Sequence, residues 1–313
     1  MANEHRYKKE TTKKSAKKPV ILIIAIIVLI AIAAIFIVNN LAVEKDKNNK
    51  PTEFIEHELE TFKKNGFVEI DDPMLGHISI EVAAGATKNT YDLNSIITDE
   101  NNIKSYYHNG EIASTTGVDL SSYQGDVDFE QLKALGIDFA ILRIGGRAYG
   151  DEGKIYFDDN FDSYYEQAKS AGLKVGAYFF SQAINIEEAK EEADAVIYAL
   201  GGKKLDYPVA FDWEYIEDDF ARTEYVNNEL TDIAVAFCNE IEKNNLVPII
   251  YSNTYLMYYV YDMTRLKDYD FWVADYGDYP TMYYGFTMWQ YSTDTILPDM
   301  DSPIDLNLCF KNY

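Results

Sequence analysis

The chain has 313 residues, enough for one large domain plus appendages. Its formal net charge is −24 even though Arg6, Lys8, Lys9, Lys13, Lys14, Lys17 and Lys18 crowd the first eighteen positions, so everything after that basic tail is strongly acidic. Such a body repels phosphate and argues against nucleic acid as a partner, and its only cysteines, Cys238 and Cys309, fit no metal-binding spacing and read as small buried hydrophobes rather than a disulfide.

Residues 1–19 form the basic tail. Residues 20–38 follow without a single charged or polar side chain. At 1.5 Å per residue this run spans about 28 Å, close to the thickness of a bilayer's hydrocarbon core. It is longer than the apolar region of a secretory leader, and Ile35-Phe36-Ile37-Val38 offers no small-residue cleavage site. The expectation is an uncleaved single-pass helix held in the lipid bilayer. The basic cluster before it sets the N-terminus in the cytoplasm and the remaining chain outside the cell membrane.

Residues 39–114 read as an extracellular linker and a small β-rich spacer. The stretch 39–52 is hydrophilic, and Phe54, Ile55, Leu59 and Phe62 recur at helical spacing before Gly66. Alternation in His77-Ile78-Ser79-Ile80-Glu81-Val82 suits a strand. Asn109-Gly110 after Tyr106-Tyr107 is a hairpin turn signal.

From Thr116 the texture becomes regular. Apolar strand-like runs occupy Gly117–Ser121, Phe139–Gly145, Val175–Ser181, Pro208–Glu214 and Val247–Asn253. Helical segments separate them: Asp159–Ala171, a stretch capped by Asn185 with Glu188 three residues on and stopped at Gly201-Gly202, and Thr223–Asn244. Three more strand-like runs, Asp270–Tyr276, Phe286–Ser292 and Ile304–Phe310, follow with little room for helices between them. Eight strands and this βα rhythm predict an α/β barrel over 115–313, with its site at the C-terminal strand ends.

Pro208–Glu214 ends in Asp212 and Glu214, which the two-residue period of a strand puts on one face. Two neighbouring buried carboxylates repel each other and resist desolvation, a cost seldom kept for stability alone. Asp119, Asp275 and Asp305 lie in or at the ends of other strands, as do Arg143, Tyr178, Tyr251, Tyr276 and Gln290. A barrel gathers them at one mouth as an acidic pocket walled by aromatics, which suits sugar rings. His5, His57, His77 and His108 all precede the barrel, so no histidine-ligated metal is expected within it, and the chemistry calls for no cofactor.

The segments Gly117-Val118-Asp119-Leu120-Ser121-Ser122-Tyr123-Gln124-Gly125, Asp212-Trp213-Glu214, Trp289-Gln290-Tyr291 and Ile304-Asp305-Leu306-Asn307 occur in the order seen in glycoside hydrolase family 25. The resemblance covers about 115–313. It implies an irregular TIM-like barrel of five βα units and three closing strands. It implies an N-acetylmuramidase that cuts the β-1,4 bond between N-acetylmuramic acid and N-acetylglucosamine in peptidoglycan. It also implies roles: Glu214 as general acid, Asp212 as the partner that orients the substrate acetamide, and Asp119 and Asp305 as further acids of the pocket. Arg143, Tyr178, Tyr251, Tyr276 and Gln290 fall where such enzymes hold sugar or support the acids, and Asp275 stands at a variable position. Substrate-assisted retention is the favoured route, with an inverting one open. Two other readings stand beside it: a non-catalytic peptidoglycan-binding module, and a glycosidase for another amino-sugar polymer.

Overall fold

A computed structural model describes residues 66–223, 226, 229–300 and 302–313. The expected membrane span 20–38 and the helix expected before Gly66 lie outside the described residues. Among the described residues no helix is long and apolar enough to cross a membrane.

The first strands are short and antiparallel. β1 (Phe67–Asp72) pairs with β2 (Gly76–Glu81), and β3 (Ile96–Thr98), β4 (Lys104–His108) and β5 (Glu111–Ile112) make a second small sheet. The β4–β5 turn is Asn109-Gly110, with φ of 53° and 84°, the left-handed pair that a two-residue hairpin requires. This β-rich segment, expected as a spacer, packs on the barrel and shares one compact unit with it. The Tyr91 ring stacks on Phe310 at 4.1 Å. Thr116 Oγ1 donates to the Lys104 carbonyl at 2.8 Å, and Lys104 N donates to Tyr291 Oη at 3.2 Å.

The barrel then runs through β6 (Thr115–Leu120), α1 (Phe129–Ala134), β7 (Phe139–Arg147), β8 (Ile155–Phe157), α2 (Phe161–Ser170), β9 (Lys174–Ser181), α3 (Ile186–Leu200), β10 (Val209–Trp213), α4 (Leu230–Lys243), β11 (Pro248–Asn253), α5 (Thr254–Tyr259), β12 (Asp270–Ala274), β13 (Met288–Thr295) and β14 (Ile304–Cys309). Neighbours follow the order β6-β7-β9-β10-β11-β12-β13-β14 and close through a β14–β6 pair. All are parallel except β14, which runs against both neighbours. Five βα units and three closing strands therefore match the expected architecture. β8, too short to stand out in the sequence, clips antiparallel onto the end of β7.

Local chemistry sets the helix ends. Asn185 Oδ1 accepts from Glu188 N at 2.8 Å and starts α3. Gly201, at φ 55°, ends it in the left-handed conformation that glycine adopts without steric cost. α4 begins at Leu230 rather than Thr223. Arg222 is drawn out of a helical path: its N–H donates to Gln182 Oε1 at 3.1 Å and its guanidinium to Glu188 at 2.7 Å.

Two apolar layers result. Outward-facing Val209, Phe211 and Trp213 of β10 pack with the helices, while Ala210 joins Phe139, Ile141, Ile249, Trp272 and Met288 inside the barrel. Phe139 stacks on Tyr207 at 4.2 Å across the barrel floor. A Cβ at Gly117 would lie 2.2 Å from that Phe139 ring, so the floor needs glycine there. Cys238 and Cys309 are buried and unpaired with each other.

Candidate active site

Strand parity decides which side chains reach the interior. Ala210 faces inward, so Asp212 does too, and Glu214 continues that face one step past the strand. The same alternation carries Gly117 to Asp119, Ile141 to Arg143, Ile249 to Tyr251, Met288 to Gln290, and Cys309 back to Asn307 and Asp305. Because β14 is antiparallel, its N-terminal residue Asp305 pairs with Asp119 at the same rim as the C-terminal ends of the other strands. A cavity of about 310 Å³ opens there. Among its walls are Asp119, Arg143, Tyr178, Asp212, Glu214, Tyr251, Tyr276, Gln290 and Asp305.

Four carboxyl groups share this space, and each is pushed above its ordinary range. Burial is the first cause for Asp212, followed by the charges of Glu214 and Asp119. For Glu214 burial again leads and the charge of Asp119 follows, while a hydrogen bond with Asp212 pulls the other way. Burial and the adjoining Asp119 push Asp305 up to about 9, so it is a neutral acid at pH 7 and hydrogen-bonds to Asp119. Asp119 is also raised by burial, against the donors that hold it. Like charges this close do not all ionise, and the Asp212–Glu214 pair retains a proton. Asp212 Oδ1 is buried and has no hydrogen-bond partner.

A relay of neutral donors fixes Asp119. Tyr251 and Tyr276 each donate to Gln290 Oε1 at 2.8 Å, which leaves Gln290 Nε2 to donate to Asp119 Oδ2 at 2.9 Å. Asn307 Nδ2 donates to the same oxygen at 2.8 Å, and Trp272 Nε1 orients Asn307 from the other side at 2.8 Å. Burial raises both tyrosines, so they stay phenols and donors. Tyr178 faces Asp119 and Asp212, also as a phenol.

Arg143 neutralises an acid outside the expected set. Its Nε donates to Asp158 Oδ2 at 2.7 Å, and Ser122 N and Oγ donate to the same oxygen at 3.1 and 3.0 Å. The pair thereby pins the Ser121–Gln124 turn, and the Arg143 guanidinium lies 4.8 Å from the exposed Tyr123 ring.

Asp275 is a correction. It does not line the cavity: Oδ2 accepts from Thr281 N, from Thr281 Oγ1 at 3.0 Å and from Met282 N at 3.2 Å, closing the loop after β12. Parity gives the reason, since Trp272, Ala274 and Tyr276 share the inner face and Asp275 falls between them. The reading that grouped strand-end acids passed over Asn307 and Trp272, which parity would have found. It also passed over Asp158, for which a lone acid before a helix gives no signal.

A β/α barrel with paired acids at its strand ends offers the two carboxyl groups that glycoside hydrolysis uses. The family model for glycosyl hydrolases family 25 matches residues 118–300. The chain belongs to that family. It is 26% identical over 201 residues to an autolytic lysozyme of Clostridium acetobutylicum, covering 61% of this chain and 54% of that one. It is 30% identical over 96 residues to lysozyme M1 of Streptomyces globisporus, covering 31% and 30%. The matches thus span about half of the first relative and less of the second. Among solved structures, the spore cortex lytic enzyme SleM of Clostridium perfringens aligns with a TM-score of 0.53 at 25% identity, over 66% of this chain and 70% of that one. A family 25 glycosyl hydrolase from Bacillus anthracis aligns at 0.52 with 23% identity, over 66% and 93%.

Proposed function

We propose that the chain is a membrane-anchored N-acetylmuramidase that cleaves the β-1,4 bond between N-acetylmuramic acid and N-acetylglucosamine in peptidoglycan. The observation that carries this reading is the hydrogen-bonded, proton-sharing Asp212–Glu214 pair on the cavity wall. Membership of the family and the lysozyme relatives support the substrate class. Glu214 delivers the proton to the glycosidic oxygen. Asp212 receives the acetamide N–H of the substrate and turns its carbonyl oxygen toward the anomeric carbon. The substrate then supplies the internal nucleophile, as the chemistry of an oxocarbenium-like transition state allows. Asp119 and neutral Asp305 set the field around the pair, Tyr251, Tyr276 and Gln290 hold Asp119 in place, and Arg143 and Tyr178 wall the place of the sugar.

Burial, more than the neighbouring charges, raises Glu214 and favours its protonated form. Glu214→Gln should lower turnover by about 10²–10⁴-fold while the protein stays folded. Mass spectrometry of purified peptidoglycan digested with the wild type should find reducing N-acetylmuramic acid ends; reducing N-acetylglucosamine ends would overturn the assignment. Proton NMR of fresh product should show retained β-anomer, and an initial α-anomer would refute the substrate-assisted route.

The anchor rests on the uninterrupted apolar run 20–38 behind the basic tail. It confines hydrolysis to wall near the cell membrane and suits local opening or remodelling. Protease added outside intact cells should remove the barrel from a membrane-retained N-terminal fragment; a barrel found in the soluble extracellular fraction would contradict it.

A further inference from the structure

The loop that follows β12 carries Tyr276 into the cavity and is gripped from outside by the β1–β2 hairpin. Asp72 ends β1 and is 4% exposed. Its Oδ1 accepts from Met74 N at 2.9 Å and Leu75 N at 2.8 Å and shapes the hairpin turn. Its Oδ2 lies 3.2 Å from Thr281 Oγ1 and competes with Asp275 for that hydroxyl's single proton. That hydroxyl lies 3.0 Å from Asp275 Oδ2, so one threonine bridges two buried carboxylates from segments about two hundred residues apart. The contact continues along the chain. Ala83 N donates to Tyr284 Oη at 3.1 Å, Asn89 N to the Tyr283 carbonyl at 2.8 Å, Gly285 N to the Thr87 carbonyl at 2.7 Å, and Tyr91 Oη to the Phe286 carbonyl at 3.0 Å.

We propose that residues 67–91 act as a strap on the β12–β13 loop, and that Asp72, through Thr281 and Asp275, is a positioning residue for Tyr276. The consequence reaches the acids by a continuous path. Asp275 N donates to the Gln290 carbonyl at 3.2 Å, and the Asp275 carbonyl accepts from Trp289 Nε1 at 2.6 Å. The next residue, Tyr276, leaves 40% of its surface exposed while its inward-turned hydroxyl completes the Gln290 relay to Asp119. A loop carrying a half-exposed tyrosine needs an external hold to keep that hydroxyl in place, and a displacement of about 1 Å at such a group costs rate out of proportion to its size. Burial and the charge of Asp72 raise Asp275, as expected of two acids drawn around one hydroxyl.

The proposal rests on the hydrolase reading, and the tests separate the two. In the full chain, Asp72→Ala should lower kcat/KM on purified peptidoglycan roughly tenfold and speed hydrogen exchange at residues 276–282, a readout that needs no substrate. The same substitution placed on Tyr276→Ala should add little, because the tyrosine through which it acts is gone. Asp72→Asn keeps the acceptor for the turn and supplies an N–H to the Thr281 hydroxyl, so it should restore most of the rate. Should Asp72→Ala fail to fold, Thr281→Val removes the bridging hydroxyl alone and should give the same signature. Unchanged exchange at 276–282, or an equal loss with and without Tyr276, would overturn the strap. Accelerated exchange in a protein whose wild type releases no sugar from peptidoglycan would uphold the strap and reject the hydrolase.

Discussion

Asp305 shows how much one carboxyl group can be altered by its neighbours. Its value is about 9, against an ordinary 3.8, because burial and Asp119 both penalise its anion. An acid raised in the folded state favours the fold only while it is protonated. Its contribution is complete below pH 3.8 and is lost progressively as pH rises toward 9. Asp305→Asn cannot ionise and still offers an N–H to Asp119. Its melting temperature should therefore exceed that of the wild type at pH 8, with the gap shrinking toward pH 4. A gap independent of pH would show that Asp305 is not held neutral by its surroundings. At this scale the sequence was a good guide to which acids converge, since Asp119, Asp212, Glu214 and Asp305 all meet. It was a poor guide to Asp275, whose strand-end position resembles theirs while its parity differs. Nor could it reveal that Arg143 is committed to Asp158, because that pairing depends on a turn and a helix start brought together only by the fold.

Among the elements, β10 and α3 were the most legible. Val209, Phe211 and Trp213 alternate with Ala210 and Asp212, and both faces of that strand are buried, so the apolar run and its acid are both explained. In α3 the cap residue and the terminal glycine were read from side-chain chemistry alone. Asn185→Ala removes the Oδ1 that accepts from Glu188 N and should cost about 1 kcal/mol of stability. Thermal melting would detect it, and turnover per folded molecule should stay unchanged because the cap lies away from the cavity walls. A turnover loss in the folded variant would mean that α3 steers the site. β8, α1 and α5 are too short for periodicity to show, and the start of α4 was hidden because Arg222 bonds to groups forty and thirty-four residues earlier in the chain.

At the scale of the molecule, the boundary that composition places before Thr115 does not separate two bodies. Residues 66–114 look like a spacer because their strands are short and polar on one side. Ile70, Ile80, Ile96 and Tyr106 nevertheless join the main apolar core, the Tyr91 and Tyr106 rings meet Phe310, and hydrogen bonds tie the segment to Tyr291, Tyr283 and Gly285. A chain beginning at 115 should melt at a lower temperature than one beginning at 66 and turn over peptidoglycan more slowly. Equal melting and equal rates for the two would show that this packing adds nothing. The compact unit that holds the four acids is thus larger than the family match at 118–300.

β14 runs against its neighbours and closes the barrel, and this gives the enzyme a clock. Asp119 lies in the first barrel strand, and Asn307, which holds its Oδ2, lies 188 residues later in the last. Asp305 arrives on that same final strand. Closing so long a loop is among the slow events of folding. Helices and the early parallel strands can form while the acids still lack half of their surroundings. Refolding from urea should therefore restore helical circular dichroism before hydrolytic activity; simultaneous recovery would deny the lag. A chain still being made, from its N-terminus onward, would leave Asp119 without Asp305 and Asn307 until its final strand had docked.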